Sequence, residues 1–209
     1  MLGDHHRELN FFAHGVEASS GAAENFAYQR DGWCGTETPP LEDQLAMIQK
    51  VKEHQEHKRR NLLSPSFTIP VKFIHVKDPS WPSFDEADLQ AKVDLLNDLF
   101  VTDCLNFTYD SLTEETSNPD WIECSGTSEL SDMGAAYNVG ADMTILHVFI
   151  CDVGPGRDGF AYLPWTTPLN SITFRNLNSA YMSNYTILDP VYRYVLGHEV
   201  GHWLGLLHP

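Results

Sequence analysis

The sequence has no apolar run approaching the ~20 residues that a membrane-spanning helix needs, so no helical span is expected within it. Basic residues are also scarce: 13 Lys+Arg stand against 29 Asp+Glu, a formal net charge of -16. Nucleic-acid phosphates demand a basic surface, so this balance argues against nucleic acid as a partner. Four cysteines (Cys34, Cys104, Cys124, Cys151) are too few for a disulfide scaffold, and no pair has C-x-x-C spacing. One pair and one free thiol would fit three of them, but spacing alone fixes no connectivity. The amino terminus, Met1-Leu-Gly-Asp-His-His-Arg7, lacks the basic start and apolar stretch of a secretory signal. No internal repeat and no low-complexity tract interrupts an otherwise globular composition of 42% hydrophobic and 11% aromatic residues. Asn106-Phe-Thr108 and Asn184-Tyr-Thr186 fit the glycosylation sequon, which matters only in an exported protein.

What is present divides near residue 60. Before it, Trp33-Cys34-Gly35-Thr36 and Pro39-Pro40 read as an irregular loop. Leu41, Leu45, Ile48 and Val51 then recur at helical spacing, predicting an amphipathic helix over about 41–57. After it, Thr68 to Val76 alternates and is rich in β-branched and aromatic residues, which predicts a strand. Ser83-x-x-Glu86 has the form of a capping box. It would open a helix to about Phe100, with Leu89, Val93, Leu96 and Phe100 on one stripe. Leu105 to Leu112 reads as a second strand and about 127–137 as a short helix. Met143 to Ile150 is apolar almost throughout, as for a strand covered on both faces. Gly159 to Trp165 is strand-like, but Pro164 places it at a sheet edge. Asp189-Pro190 supplies an N-cap and a first-turn proline for a last helix over about 190–204. Strands alternating with helices predict an α/β (α+β) layer with helices packed on a mixed sheet. His75 and His147 fall inside strands and read as packed or subsite residues. His54 and His57, three apart on a charged helix, could bind metal, but they read first as a solvated face.

The chemistry concentrates in the final helix, His198-Glu199-Val-Gly-His202-Trp-Leu-Gly205-Leu-Leu-His208. At ~100° per residue, positions 198 and 202 lie ~40° apart on one helical face, so two imidazoles can reach one metal ion from the same side. Zinc suits nitrogen ligands at ~2.0–2.1 Å, and a catalytic zinc keeps one position open for water. Glu199, beside the first histidine, can take a proton from that water. Gly205 lacks a Cβ, so the chain can leave the helix there and return His208 as a third ligand. A histidine-rich surface helix is the bland alternative. The five-residue pattern arises by chance in roughly one chain in 10⁴ of this length.

His198 to His208 match the extended HExxHxxGxxH motif of the metzincin zinc endopeptidases. The fuller string resembles one branch, the pappalysin (cytophagalysin-like) metalloproteases. Ile69 to Val76 looks like the first strand of that branch, Phe107 to Trp121 like its second strand and following loop, and Gly159 to Trp165 like its edge strand. The resemblance covers about residues 61–209, and only the zinc motif is highly specific. It implies the upper subdomain of a metzincin: a mixed twisted sheet with an antiparallel edge strand, a backing helix and an active-site helix. It implies one catalytic Zn2+ held by His198, His202 and His208, with Glu199 as general base toward a zinc-activated water. It also implies β-augmentation of a peptide or protein substrate along Gly159, Phe160, Ala161, Tyr162 and Leu163, and a secreted protein.

Arg30-Asp-Gly-Trp-Cys34-Gly35-Thr36 resembles the Cys-Gly-Thr element in the pro-region of the same branch. That resemblance implies a zymogen in which the Cys34 thiolate fills the open zinc position. On residue type alone, a buried or paired cysteine fits equally well. Lys58-Arg59-Arg60 would then separate a pro-region, 1–60, from a catalytic domain, 61–209; the basic end of a helix explains it as readily. Metzincins carry a Met-turn and a C-terminal subdomain, with any calcium sites, after the third histidine. Here Met1, Met47, Met133, Met143 and Met182 all precede it. The sequence therefore predicts the upper subdomain only. The competing expectation is a truncated, inactive homologue that binds zinc or a protein.

Overall fold

The computed structural model describes residues 34–46, 48–49, 52, 67–101, 105–124, 126–164 and 175–208. Its centre is a five-stranded sheet of order β2-β1-β3-β5-β4, built from β1 (Phe67–Val76), β2 (Leu105–Glu115), β3 (Leu146–Cys151), β4 (Gly159–Ala161) and β5 (Ser179–Ser183). β1 pairs in parallel with β2 and β3, and β3 in parallel with β5. Only the short edge strand β4 runs antiparallel, against β5. The fold is thus α/β with a mixed sheet and an antiparallel edge. Pro70 lies inside β1, one residue before its ladder with β3 begins at Val71, so its missing N–H falls outside that ladder.

Three helices cover the sheet: α1 (Glu86–Leu99), α2 (Thr127–Ala136) and α3 (Val195–Trp203). Alternation along β3 divides the core. Leu146, Val148 and Ile150 join Leu89, Val93 and Leu96 of α1 and Val195, Leu196 and Val200 of α3. Phe149 and Cys151, pointing to the opposite face, join Leu130 and Met133 of α2. Every residue of β3 is buried, His147 included, as its almost wholly apolar run predicts. Asn97 of α1 clamps β2 through its amide, bonding both main-chain groups of Phe107 at 2.7 and 2.9 Å. A Cys124–Cys151 disulfide fastens the segment after a 3₁₀ turn (Pro119–Trp121) to the end of β3. Cys34 is free, and Cys104 lies outside the described residues.

Several local expectations change. The N-cap of α1 is Asp85, whose side chain accepts from Ala87 N–H at 2.8 Å. Ser83 instead accepts from Lys77 Nζ at 2.6 Å, so the capping box does not form. Asp189 does accept from Val191 N–H, but cap and proline organise only a 3₁₀ turn, Pro190–Tyr192. The α-helical ladder starts at Val195, where Val195 and Leu196 reach the core; Val191 and Tyr194 face solvent. β5 was absent from the sequence expectation. Ser-Ala-Tyr-Met-Ser carries no β-branched residue, yet it is buried end to end between β3 and β4. The helix expected over 41–57 is helical at 41–46, 48–49 and 52, with the remainder outside the described residues. Its stripe residues Leu41, Leu45 and Ile48 are exposed rather than packed. Of the two sequons, Asn184 is buried with its amide oxygen 3.0 Å from His75 Nε2, while Asn106 is exposed.

Candidate functional site

The site forms where α3 passes beneath β4 and β5. His198 and His202 stand one helical turn apart on α3, with Nε2 atoms 2.9 Å from each other. The helix closes through Gly205 N–H to His202 O and Leu206 N–H to Gly201 O. Gly205 takes a φ of 102°, a left-handed conformation that glycine adopts without a Cβ clash. The chain leaving that turn brings His208 Nε2 to 3.0 Å from His202 Nε2 and 3.3 Å from His198 Nε2. Cys34 arrives from far away in sequence, its Sγ 3.5 Å from His202 Nε2. The donor atoms of all four residues lie within 4.8 Å of one another.

These distances can be tested against a metal. Around a tetrahedral zinc, nitrogens at ~2.0–2.1 Å stand about 3.3–3.4 Å apart, and a sulfur at ~2.3 Å stands about 3.5 Å from each nitrogen. The observed nitrogen edges are 2.9, 3.0 and 3.3 Å, the first two shorter than that figure by about 0.3–0.4 Å, and the Cys34–His202 edge of 3.5 Å matches it. The tautomers agree. His202 Nδ1 is 2.7 Å from Leu206 O and donates to it, leaving a lone pair on Nε2. Burial, reinforced by His202 and His208, holds His198 down at about 4, so its ring is neutral near pH 7. Burial likewise lowers His202. With Nδ1 donating to Leu206 O, His202 Nε2 turns its lone pair toward the Nε2 atoms of His198 and His208, as a metal ligand must. The donor set therefore fits zinc.

Glu199, between the two helical histidines, is fully buried. Burial raises its carboxyl to about 8. One oxygen, Oε2, accepts from Thr36 Oγ at 3.3 Å and faces Cys34 Sγ at 3.8 Å; Oε1 has no hydrogen-bond partner among the described residues. The space it occupies exists because residue 159 is glycine. A Cβ there would stand 2.9 Å from Glu199 Cγ and 2.9 Å from Tyr181 O. Burial, and then the nearby Glu199, push the Cys34 thiol up to about 12. A cation among these donors would reverse that direction, because it favours thiolate.

Residues 34–36 lie along β4, running parallel to it through a Cys34–Gly159 bridge. Gly35 N–H donates to Gly159 O at 2.9 Å. The Thr36 hydroxyl accepts from Ala161 N–H at 2.9 Å and lies 3.1 Å from Ala161 O. Gly159 and Ala161 therefore meet the Cys34 segment with their outward main-chain groups, whereas Phe160 stacks on Tyr181 with ring centroids 4.6 Å apart. Tyr162 and Leu163, beyond the strand, line a groove with Thr36–Pro40, Thr127, Leu130 and Arg157. Thr38 Oγ stands 3.4 Å from His208 Nδ1. Thr36 and Thr38 were not singled out from the sequence. The signal was an alternation, Cys34-x-Thr36-x-Thr38, of polar side chains on one side of an extended segment.

Other histidines are placed elsewhere. His75 and His147 are buried sheet residues, His75 packed 4.4 Å from the Phe84 ring centroid and bonded to Asn184. His54, His57 and Lys58-Arg59-Arg60 fall outside the described residues.

Among known proteins, the chain is 30% identical over 191 residues to an extracellular metalloprotease of Colletotrichum graminicola; the match takes in 84% of this chain and 64% of that protein. The chain thus spans just under two thirds of that relative's length. A metalloproteinase-II structure from Bacteroides fragilis superposes with a TM-score of 0.48 at 17% identity, over 71% of this chain and 45% of that one. A chaperone–substrate complex superposes with a TM-score of 0.44 at 16% identity, over 68% of this chain and 24% of that one. No protein-family profile matches the sequence. The chain is metalloprotease-like, and its candidate metal cluster lies at the C-terminal helix.

Proposed function

We propose that this chain belongs to a zinc-dependent endopeptidase of pappalysin type, secreted as a latent precursor. The observation that carries the reading is the convergence of three imidazole Nε2 atoms, 2.9–3.3 Å apart, beside a buried carboxylic acid, one of whose oxygens has no hydrogen-bond partner among the described residues. His198, His202 and His208 would hold the ion. Zinc bound there supplies Lewis-acid polarisation of a peptide carbonyl and acidifies water.

The chain's own residues do the rest. Glu199 accepts the proton of the attacking water and passes it to the departing amine, a role helped by a carboxyl whose proton affinity is already raised. Gly159 and Ala161, at the sheet edge, offer outward main-chain groups to an extended peptide. Phe160 and Tyr162 make the neighbouring wall. In the precursor the Cys34 segment occupies those groups, and its sulfur stands at the fourth corner of the donor set. Removal of residues 1–60 near Lys58-Arg59-Arg60 would free both. The similarity to a named extracellular metalloprotease supports the reaction class and the export.

The test is zinc content by mass spectrometry of the native protein, with cleavage of a denatured protein substrate, in wild type, Glu199→Ala and His202→Ala. Stoichiometric zinc in wild type and Glu199→Ala, with cleavage only in wild type after pro-region removal, is expected. Zinc retained by His202→Ala, or cleavage unaffected by Glu199→Ala, would refute the assignment.

A further inference from the structure

The attachment of the Cys34 segment does not rest on the sulfur alone. Thr36 is nearly as buried as the core, and its single hydroxyl meets three groups: Ala161 N–H at 2.9 Å, Ala161 O at 3.1 Å and Glu199 Oε2 at 3.3 Å. In an antiparallel pair, alternate residues turn their main-chain groups outward. Ala161 is such a residue, and both its outward groups meet one side-chain hydroxyl. Gly35 N–H on Gly159 O is the last main-chain rung; at Thr36 the side chain takes over the rung, and the backbone of 37–40 departs along the groove. Thr36 N–H meanwhile turns back to Cys34 Sγ at 3.4 Å, orienting the sulfur.

We infer that Thr36 is a second latency residue: its hydroxyl stands in for a substrate peptide group on Ala161 and caps Glu199, locking the Cys34 segment to the edge strand as an inhibitor rather than a substrate. This rests on the metal-site reading above and extends it to a residue that cannot ligate the ion through the contacts it makes. Three consequences meet at one residue. The edge rung at Ala161 is filled, the general base is engaged, and the sulfur is held at the histidines. A hydroxyl has one proton to give, so it serves either Ala161 O or Glu199 at a given moment while accepting from Ala161 N–H throughout. Thr38, two residues on, extends the same alternation to His208.

The readout is the alkylation rate of Cys34 by iodoacetamide in the full chain loaded with zinc, followed by mass spectrometry. Cys34 reacts only when the segment leaves the edge. Thr36→Val keeps shape and removes the hydroxyl; loss of a hydrogen bond to each of two partners should speed alkylation at least about tenfold. Thr36→Ser restores the hydroxyl and should return the rate to within about threefold of wild type. Circular dichroism and zinc content establish that each variant retains the fold and the ion. An unchanged rate in Thr36→Val, or equal acceleration in Thr36→Ser, overturns the inference while leaving the metal site standing. A wild-type thiol that reacts as fast as in chelator-treated protein overturns both.

Discussion

Gly159→Ala perturbs the fold and the site through one methyl group. The added Cβ would lie 2.9 Å from Glu199 Cγ, 2.9 Å from Tyr181 O and 3.2 Å from Met182 Sδ. The carbonyl is main chain of β5, the partner strand of β4, and cannot turn away without breaking the ladder. Relief must come from β4 rising off β5 or from Glu199 swinging aside. Overpacking of this kind costs about 1–3 kcal/mol. In a domain of this size each kcal/mol lowers Tm by about 2–4 °C, so a fall of about 2–12 °C is expected by calorimetry. Displacing the carboxyl also disturbs Thr36, because Oε2 is one of its three partners. Cys34 alkylation should therefore accelerate, and any cleavage after activation should drop by about 10²-fold, as a misplacement near 1 Å does elsewhere. Zinc should stay bound, since residue 159 contributes no donor. A variant melting within about 1 °C of wild type, with an unchanged alkylation rate, would show that β4 has room the geometry denies.

Reducing or deleting the Cys124–Cys151 bridge, which closes 27 residues, should cost about 3–4 kcal/mol by chain entropy, read as a lower urea midpoint; an unchanged midpoint would contradict it. Burial, helped by Lys72, holds His147 at about 4 in the folded chain, below its unfolded value near 6.5. The unfolded state therefore binds more protons between those values, and stability present above pH ~6.5 declines as pH falls toward ~4, by up to about 3 kcal/mol from this group. Urea titrations at pH 7 and 4.5 should show a smaller drop in His147→Gln; an equal drop would reject the assignment. Expressed through a secretory pathway, the chain should carry glycan at exposed Asn106 and none at Asn184, which is bonded to His75; peptide mapping that finds Asn184 occupied in folded protein would count against the packing of that loop.

How much of this was legible in the sequence depended on the range of the interactions involved. The histidines of α3 were readable because their spacing is a local helical property, and Gly205 because a turn is decided by a few residues. β3 was legible from a run apolar but for His147, and the edge position of β4 from Pro164. β5 was not: Ser179 to Ser183 has no β-branched residue, and it is a strand because two neighbours supply its hydrogen bonds. The start of α3 was misplaced for the same reason. Asp189 and Pro190 fix a turn locally, but the helix forms where burial begins at Val195. The partner of Cys151 could not be chosen from spacing, since Cys124 is brought to it by a long-range bridge in which Asp152 N–H donates to Ile122 O and Cys124 N–H donates to Asp152 O.

The topology explains why the Cys34 segment pairs at this edge. Strands β1, β3 and β5 have both flanks occupied, so among the described residues the sheet offers edge hydrogen-bonding groups beside the site on β4. β4 is three residues long, and its outward groups at Gly159 and Ala161 lie within reach of Glu199 because Gly159 permits the carboxyl to pack beneath the strand. Anything that pairs with this edge is thereby delivered to the acid and the histidines, whether it is a peptide to be cut or a segment of the same chain. The two differ in what they present at Ala161. A continuing strand offers a peptide group and carries its backbone onward along the edge; the Cys34 segment offers a hydroxyl, and its backbone departs. An open edge invites pairing with whatever strand is near, and a segment tethered to the same chain is present at high effective concentration. Occupation by residues 34–36 is on this view the resting state of the edge. The loss of a hydroxyl at position 36 would weaken it without touching a metal ligand.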